Sequence, residues 1–165
     1  MQFNFSEIVL LKDPDERLRQ VAKEIIFPQD SNLLSKLTND LQILYENMLK
    51  IMQNEDGVGL AATQINIHFR AILVDLRVDF EKDIFNPLFM INPVIIKTSK
   101  HITTLSEGCL SVPNKLIDIK RPNSLICKYF DIYRNIKKIT VNDISAKIIQ
   151  HEIDHLNGKL IVDYL

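Results

Sequence analysis

The stretch "IIQHEIDHLNG", residues 148–158, decides how this chain is read. His151 and His155 stand four apart around Glu152, an HExxH pattern. On an α-helix, residues at that spacing project from one face, so two imidazoles can share a metal ion with the carboxylate beside them as a proton shuttle. Ile144 and Ile148 extend the same face, while Ile149, Ile153 and Leu156 fill out an apolar circumference. A helix this apolar is expected to be covered, and histidines and a glutamate in a covered place need polar partners that a metal supplies. Asp143, Lys147, Gln150 and Asp154 fall on a further face, expected to meet solvent or to brace the ligands from behind. The helix is expected to begin near Asn142 or Asp143 and to end at Gly158, a good residue just past a helix C-terminus.

A catalytic ion of this kind takes three protein ligands and keeps one position open. Only ten residues follow His155, and Asp163 is the one acidic side chain among them, so the third ligand is expected upstream. The candidates are His68, His101, Cys109, Cys127 and the carboxylates. Cys127, in the strand-like "SLICKYF", reads as a core cysteine, and His68 and His101 read as exposed histidines. Cys109 stands in the tight "SEGCLSVP" (106–113) beside Gly108, where backbone can approach a ligand closely. A thiolate with two imidazoles suits zinc or ferrous iron. Two other readings compete: a disulfide between Cys109 and Cys127, and an HExxH peptidase that cuts internal bonds.

Outward from this helix the chain reads as α+β. "DPDERLRQVAKEI" (13–25) suggests a turn at Pro14 and a short amphipathic helix, with Leu18, Val21, Ala22 and Ile25 on one side. Asp30 or Ser31 can cap a second helix, whose Leu34, Leu37, Leu41, Leu44, Met48 and Ile51 recur at helical spacing until "QNEDG" (53–57). From Ile67 to about Asn142 the texture changes to short β-branched and aromatic runs such as "FRAILVDLRV" (69–78), "LFMINPVIIKTS" (88–99) and "LICKYFDIY" (125–133). The expectation is mostly antiparallel sheets packed around a C-terminal HExxH helix, with two N-terminal helices. No linker or repeat divides residues 1–165, so one domain is expected.

Composition narrows the function classes. The 165 residues are 46% hydrophobic and 25% charged, with a formal net charge of −1 and a pI near 6.4. That charge offers no basic field for direct nucleic-acid binding, and no apolar run is long enough for a membrane span. The N-terminus lacks the basic and apolar segments of a secretory signal, so a cytoplasmic protein with free thiols is expected.

Three stretches together resemble the peptide deformylases: "GVGLAATQ" (57–64), "EGCLS" (107–111) and "QHEIDHLNG" (150–158), in that family's order and spacing. The N-terminal "DPDERLRQVAKEI" also looks like the family's opening element, so the resemblance covers nearly the whole chain. It implies hydrolysis of the formyl group from N-formylmethionyl nascent peptides. It implies Cys109, His151 and His155 as ligands to one divalent ion, with Fe2+ in the cell and Zn2+, Ni2+ or Co2+ in preparations. Glu152 would move the proton, while the Gln64 amide and Leu110 N–H would receive charge on the formyl oxygen. Gly59 would let the substrate backbone lie close. Ile144 and Ile148, with Val58 and Leu105, would form an apolar pocket for the methionine side chain, and Arg121 would partner Glu107 or Asp154. A monomer is expected, with at most transient ribosome contact, since the docking helix of many bacterial members does not follow Gly158 here. The chain departs from the family at Leu116, beside Lys115, where an arginine is common, and at Ser145 and Lys147 before the HExxH helix. A homologue that binds metal or formyl-peptides without turnover is the alternative.

Overall fold

The computed structural model describes residues 3–76 and 87–165, and among them it contains two α-helices and seven strands. Helix α1 spans Ser31–Asn54; Asp30 caps it by accepting from the Leu33 N–H at 2.9 Å. Its Leu37, Leu41, Leu44, Met48 and Met52 are buried at the expected spacing. The strands are β1 (Gly59–Ala61), β2 (Ala71–Val74), β3 (Leu88–Thr98), β4 (Ile102–Cys109), β5 (Val112–Pro122), β6 (Ser124–Phe130) and β7 (Ile136–Asn142), followed by α2 (Asp143–Leu156). Residues 77 and 78 of the expected "FRAILVDLRV" strand lie outside the described residues. No helix among the described residues is long and apolar enough to cross a membrane.

All strand pairings are antiparallel. Five strands form one sheet in the order β1-β2-β3-β6-β7, and β4-β5 form a separate two-stranded hairpin. Three apolar clusters hold these parts together. One joins α1 to β1 and β2 through Leu41, Leu44, Met48, Leu60 and Leu73. The second joins α2 to the five-stranded sheet through Ile149, Ile153, Leu156, Ile72 and Leu125. The third seats the hairpin on Leu11, Leu18, Leu160 and Ile161. Each fully buried leucine or isoleucine contributes roughly 1.5–3 kcal/mol of hydrophobic free energy.

The expected first helix at 13–25 is corrected: only a single 3-10 turn, Glu16–Arg19, forms, capped by Asp15. Beyond it the backbone is extended and bonds sideways rather than to itself. The Ala22 N–H donates to the Leu156 carbonyl at 2.8 Å, and the Lys23 N–H to the His68 carbonyl at 3.0 Å. The Asn92 carboxamide takes both backbone groups of Ile25, at 2.9 and 2.8 Å. Ala22 and Ile25 are buried while Val21 and Ile26 face solvent, so Val21 leaves the apolar side on which it was expected. One N-terminal α-helix therefore stands where two were expected.

Candidate metal centre and catalytic site

Helix α2 brings His151, Glu152 and His155 together because its spacing is helical throughout and its end is well terminated. Gly158 takes a φ of +73°, and the Lys159 N–H returns to the Asp154 carbonyl at 2.9 Å, closing the last turn. A Cβ at Gly158 would strike the Arg19 carbonyl, so glycine is needed twice over. The cysteine arrives from the hairpin: Cys109 ends β4 opposite Val112, after a register shift that follows Glu107. The Cys109 Sγ lies 3.3 Å from His155 Nε2, which lies 3.2 Å from His151 Nε2. Ligand atoms of the three residues all lie within 4.8 Å of one another. Among the described residues this is the group of metal-binding character.

One soft thiolate and two imidazoles converging on one point fit a divalent ion such as zinc or ferrous iron. Both cysteines are free thiols, and Cys127 is fully buried in the sheet core, so no disulfide joins them. His101 is exposed as expected. His68 is not: it is half-buried, and both its ring nitrogens are enclosed without a hydrogen-bond partner among the described residues.

Behind the site runs a chain of buried polar contacts. His151 Nδ1 is 3.0 Å from Glu107 Oε2, which turns its Nε2 toward the cysteine. The Arg121 guanidinium grips Glu107 at both oxygens, at 2.7 and 3.1 Å, and donates to Asp154 Oδ2 at 2.8 Å. Arg121 thus reaches both residues expected as its partners. Tyr164 completes the cluster: its hydroxyl donates to Asp154 Oδ2 at 2.7 Å, and its ring lies under the guanidinium. On the face of α2 expected to meet solvent or to brace the ligands, Asp143 is exposed and Asp154 meets Arg121, while Lys147 and Gln150 are covered by the hairpin. Gln150 donates to the Pro122 carbonyl at 3.0 Å, and Lys147 reaches Thr103; both residues are buried.

These surroundings set the charges. Burial holds His155 well below its ordinary value, hence neutral, as a ligand must be. Burial also acts to lower His151, but its hydrogen bonds to Cys109 and Glu107 outweigh it and raise the ring to about 10, so an incoming cation displaces a proton there. Burial would raise Glu107, and its bonds to His151 and Arg121 override it and keep the carboxylate ionised below its usual range. Burial pushes the Glu152 carboxyl up to about 7, with the neighbouring His151 pulling the other way.

Glu152 is buried beside the ligands, and its Oε2 has no hydrogen-bond partner among the described residues. Gly59 makes room for it: a Cβ there would collide with Glu152 Oε1. The space at Gly59 is thus taken up by the glutamate, a close approach that sequence reasoning had assigned to substrate backbone. Gln64 sits in a buried 3-10 turn, Ala62–Ile65. The Ala61 N–H fixes its Oε1 at 2.8 Å, so its Nε2 points to Ser111 Oγ at 3.0 Å and toward Cys109 Sγ at 3.8 Å. Ser111 was not singled out from the sequence, though its place in "EGCLS" carried the signal.

A cavity of about 770 Å³ opens on this cluster. Val58, Leu105, Ile144 and Ile148 all line it, as do Gln64, Cys109, Leu110, His151 and Glu152, so the residues expected to form the site and the pocket lie together. Leu116 and Lys147, two of the departures noted above, line it as well.

The comparisons agree with this arrangement. The family model described as "Polypeptide deformylase" matches residues 7–165. A peptide deformylase of Rickettsia canadensis is 38% identical over 164 residues, covering 97% of this chain and 88% of that protein. The crystal structure of a probable peptide deformylase from Synechococcus phage S-SSM7 superposes with a TM-score of 0.84 at 34% identity, covering 96% of this chain and 99% of that one. A class I type b peptide deformylase from Acinetobacter baumannii, solved with Met-Ala-Ser bound, gives a TM-score of 0.81 at 28% identity, covering 96% and 98%. With its motifs gathered into one buried cluster and this likeness running along nearly its whole length, the chain belongs to the polypeptide deformylase family.

Proposed function

We propose that this chain removes the formyl group from the N-terminal formyl-methionine of newly made polypeptides, releasing formate by metal-dependent hydrolysis. The observation that carries the reading is the convergence of Cys109, His151 and His155 beside a buried Glu152 with one unpartnered oxygen. Cys109, His151 and His155 hold one divalent ion, Fe2+ in the cell, with Zn2+, Ni2+ or Co2+ able to take its place. When bound, the ion would supply Lewis acidity toward the formyl oxygen and make water easier to deprotonate.

The chain's own residues do the rest. Glu152 takes the proton of the attacking water and returns it to the leaving amine. Its raised pKa, from burial, suits a group that must both accept and give a proton near neutrality. Charge gathering on the formyl oxygen is received by the Gln64 amide and the Leu110 N–H. The fixed orientation of Gln64, with Oε1 held by the Ala61 N–H, supports that role, because it turns the Nε2 donor toward Ser111 Oγ and Cys109 Sγ at the cavity. Val58, Leu105, Ile144 and Ile148 enclose the methionine side chain. Glu107, Arg121 and Asp154 orient His151 rather than touch the substrate. The bound Met-Ala-Ser of the Acinetobacter baumannii relative is the product that formyl-Met-Ala-Ser would leave. Residues 1–165 act as one catalytic domain in the cytoplasm, on nascent chains.

The test is formate release from formyl-Met-Ala-Ser by anaerobically purified, iron-loaded protein, with acetyl-Met-Ala-Ser as control. Turnover of the formyl peptide alone, lost in Glu152→Ala with metal content unchanged, is expected. A full complement of metal with no turnover would replace this reading with a binding-only homologue.

A further inference from the structure

Lys147 stands one helical turn before His151, lines the cavity, and is only 5% exposed. A buried ammonium is costly unless acceptors surround it. Two are supplied by one residue: the Thr103 carbonyl at 3.0 Å and the Thr103 hydroxyl oxygen at 2.5 Å. Lysine carries three N–H donors, so one remains beyond these two bonds.

The position matters as much as the charge. Along β4, Thr103 and Leu105 alternate inward with Glu107 and Cys109, and along α2 Lys147 and Ile148 precede His151. Two contacts join the strand to the helix here, Glu107 to His151 and Thr103 to Lys147, and Leu105 and Ile148, which lie between them in sequence, both line the cavity. Lys147 thus joins Val58, Leu105, Ile144 and Ile148 in the lining of the cavity, a cation among aliphatic side chains.

We infer that Lys147 is a specificity-determining residue: its ammonium lines the side-chain pocket and donates to an acceptor at the tip of the substrate's first side chain. This rests on the reading of the cavity as the methionine pocket. Norleucine offers no acceptor, the methionine thioether a weak one, and the sulfoxide of oxidised methionine a strong one. The chain therefore deformylates peptides that begin with formyl-methionine sulfoxide as well as formyl-methionine. A purely aliphatic pocket would exclude the sulfoxide, because its oxygen would be buried unpaired.

The experiment compares kcat/KM for formyl-Met, formyl-Met-sulfoxide and formyl-norleucine forms of one tripeptide, in the unaltered protein and in Lys147→Met. Isothermal calorimetry of the three unformylated product peptides runs beside it. The unaltered protein is expected to take the sulfoxide at least as well as norleucine. In Lys147→Met the sulfoxide-to-norleucine ratio is expected to fall at least about tenfold, the scale of one hydrogen bond to a charged group. Lys147→Gln, which keeps a neutral donor, is expected to fall between them. An unchanged ratio in Lys147→Met, or a tenfold preference of the unaltered protein for norleucine over the sulfoxide, overturns the assignment. If the variants fail to fold, the unaltered protein's own preference decides. If no peptide is deformylated, the proposed reaction fails, and the calorimetric order of the product peptides still reads Lys147 separately.

Discussion

Replacing Arg121 with methionine tests the polar cluster behind the histidines. The side chains of Arg121 and Glu107 are 5% and 6% exposed, so their ion pair is screened little by water. The substitution removes two bonds to Glu107, one to Asp154 and one to the Tyr164 hydroxyl. Asp154 keeps the Tyr164 hydroxyl, but Glu107 is left with His151 as its one remaining partner among those contacts. Removing one member of a buried pair costs about 3–5 kcal/mol, with the lower end expected in metal-free protein, where the protonated His151 still faces Glu107. For a chain of this size that is a fall of about 6–20 °C in Tm. The imidazole of His151 also loses the anchored carboxylate that orients it, which lowers metal affinity about 10–100-fold. Denaturant unfolding of metal-free protein measures the first effect, and competition against a chromogenic chelator measures the second. The double variant Arg121→Met, Glu107→Gln is expected to recover part of the stability but not the metal affinity, because the neutral amide no longer leaves an unpaired charge. Stability within about 0.5 kcal/mol of the parent, with metal held as tightly, would refute the reasoning, since that is the range of ordinary surface substitutions.

Gly59→Ala forces a methyl group onto Glu152, with its Cβ 2.8 Å from Cδ and 3.0 Å from Cγ. It is expected to lower kcat/KM by about a hundredfold, on the scale of a displaced general base, at a stability cost of about 1–3 kcal/mol and with metal stoichiometry intact; kinetics with metal analysis checks it. Burial pushes the Cys127 thiol up to about 11, so in chelator-treated protein at pH 8 roughly one molecule in a thousand carries its thiolate. Cys109, half-exposed at the cavity, is therefore expected to alkylate first and Cys127 only on unfolding, with metal protecting Cys109; mass spectrometry of iodoacetamide-treated protein reads the order.

The HExxH helix could be read directly because every determinant is local: four-residue spacing, apolar flanks and a glycine stop. Cys109 could be read because a tight turn beside a glycine is a local signal too. Residues 20–27 could not, since their backbone partners are Leu156, His68 and Asn92, and nothing in "QVAKEIIF" announces them. The burial of Lys147 and Gln150 escaped for the same reason. Their polarity is correct for an exposed face, and only the arrival of the hairpin converts them into internal struts. The contact of Gly59 with Glu152 was not legible either, because a glycine's lack of a side chain shows in sequence while the atom beside it does not.

The hairpin β4-β5 shares no strand pairing with the five-stranded sheet. Toward α2 it is fastened mainly by side chains: Lys147 to Thr103, Gln150 to Pro122, Arg121 to Asp154. Parting one jaw of the cleft from the other would unzip no ladder, but it would break the buried Arg121–Asp154 and Glu107–His151 contacts as well as the bonds of Lys147 and Gln150. The two walls of the cleft are thus built differently: side-chain substitutions can reach what holds the hairpin wall, while backbone pairing holds the sheet wall beyond their reach.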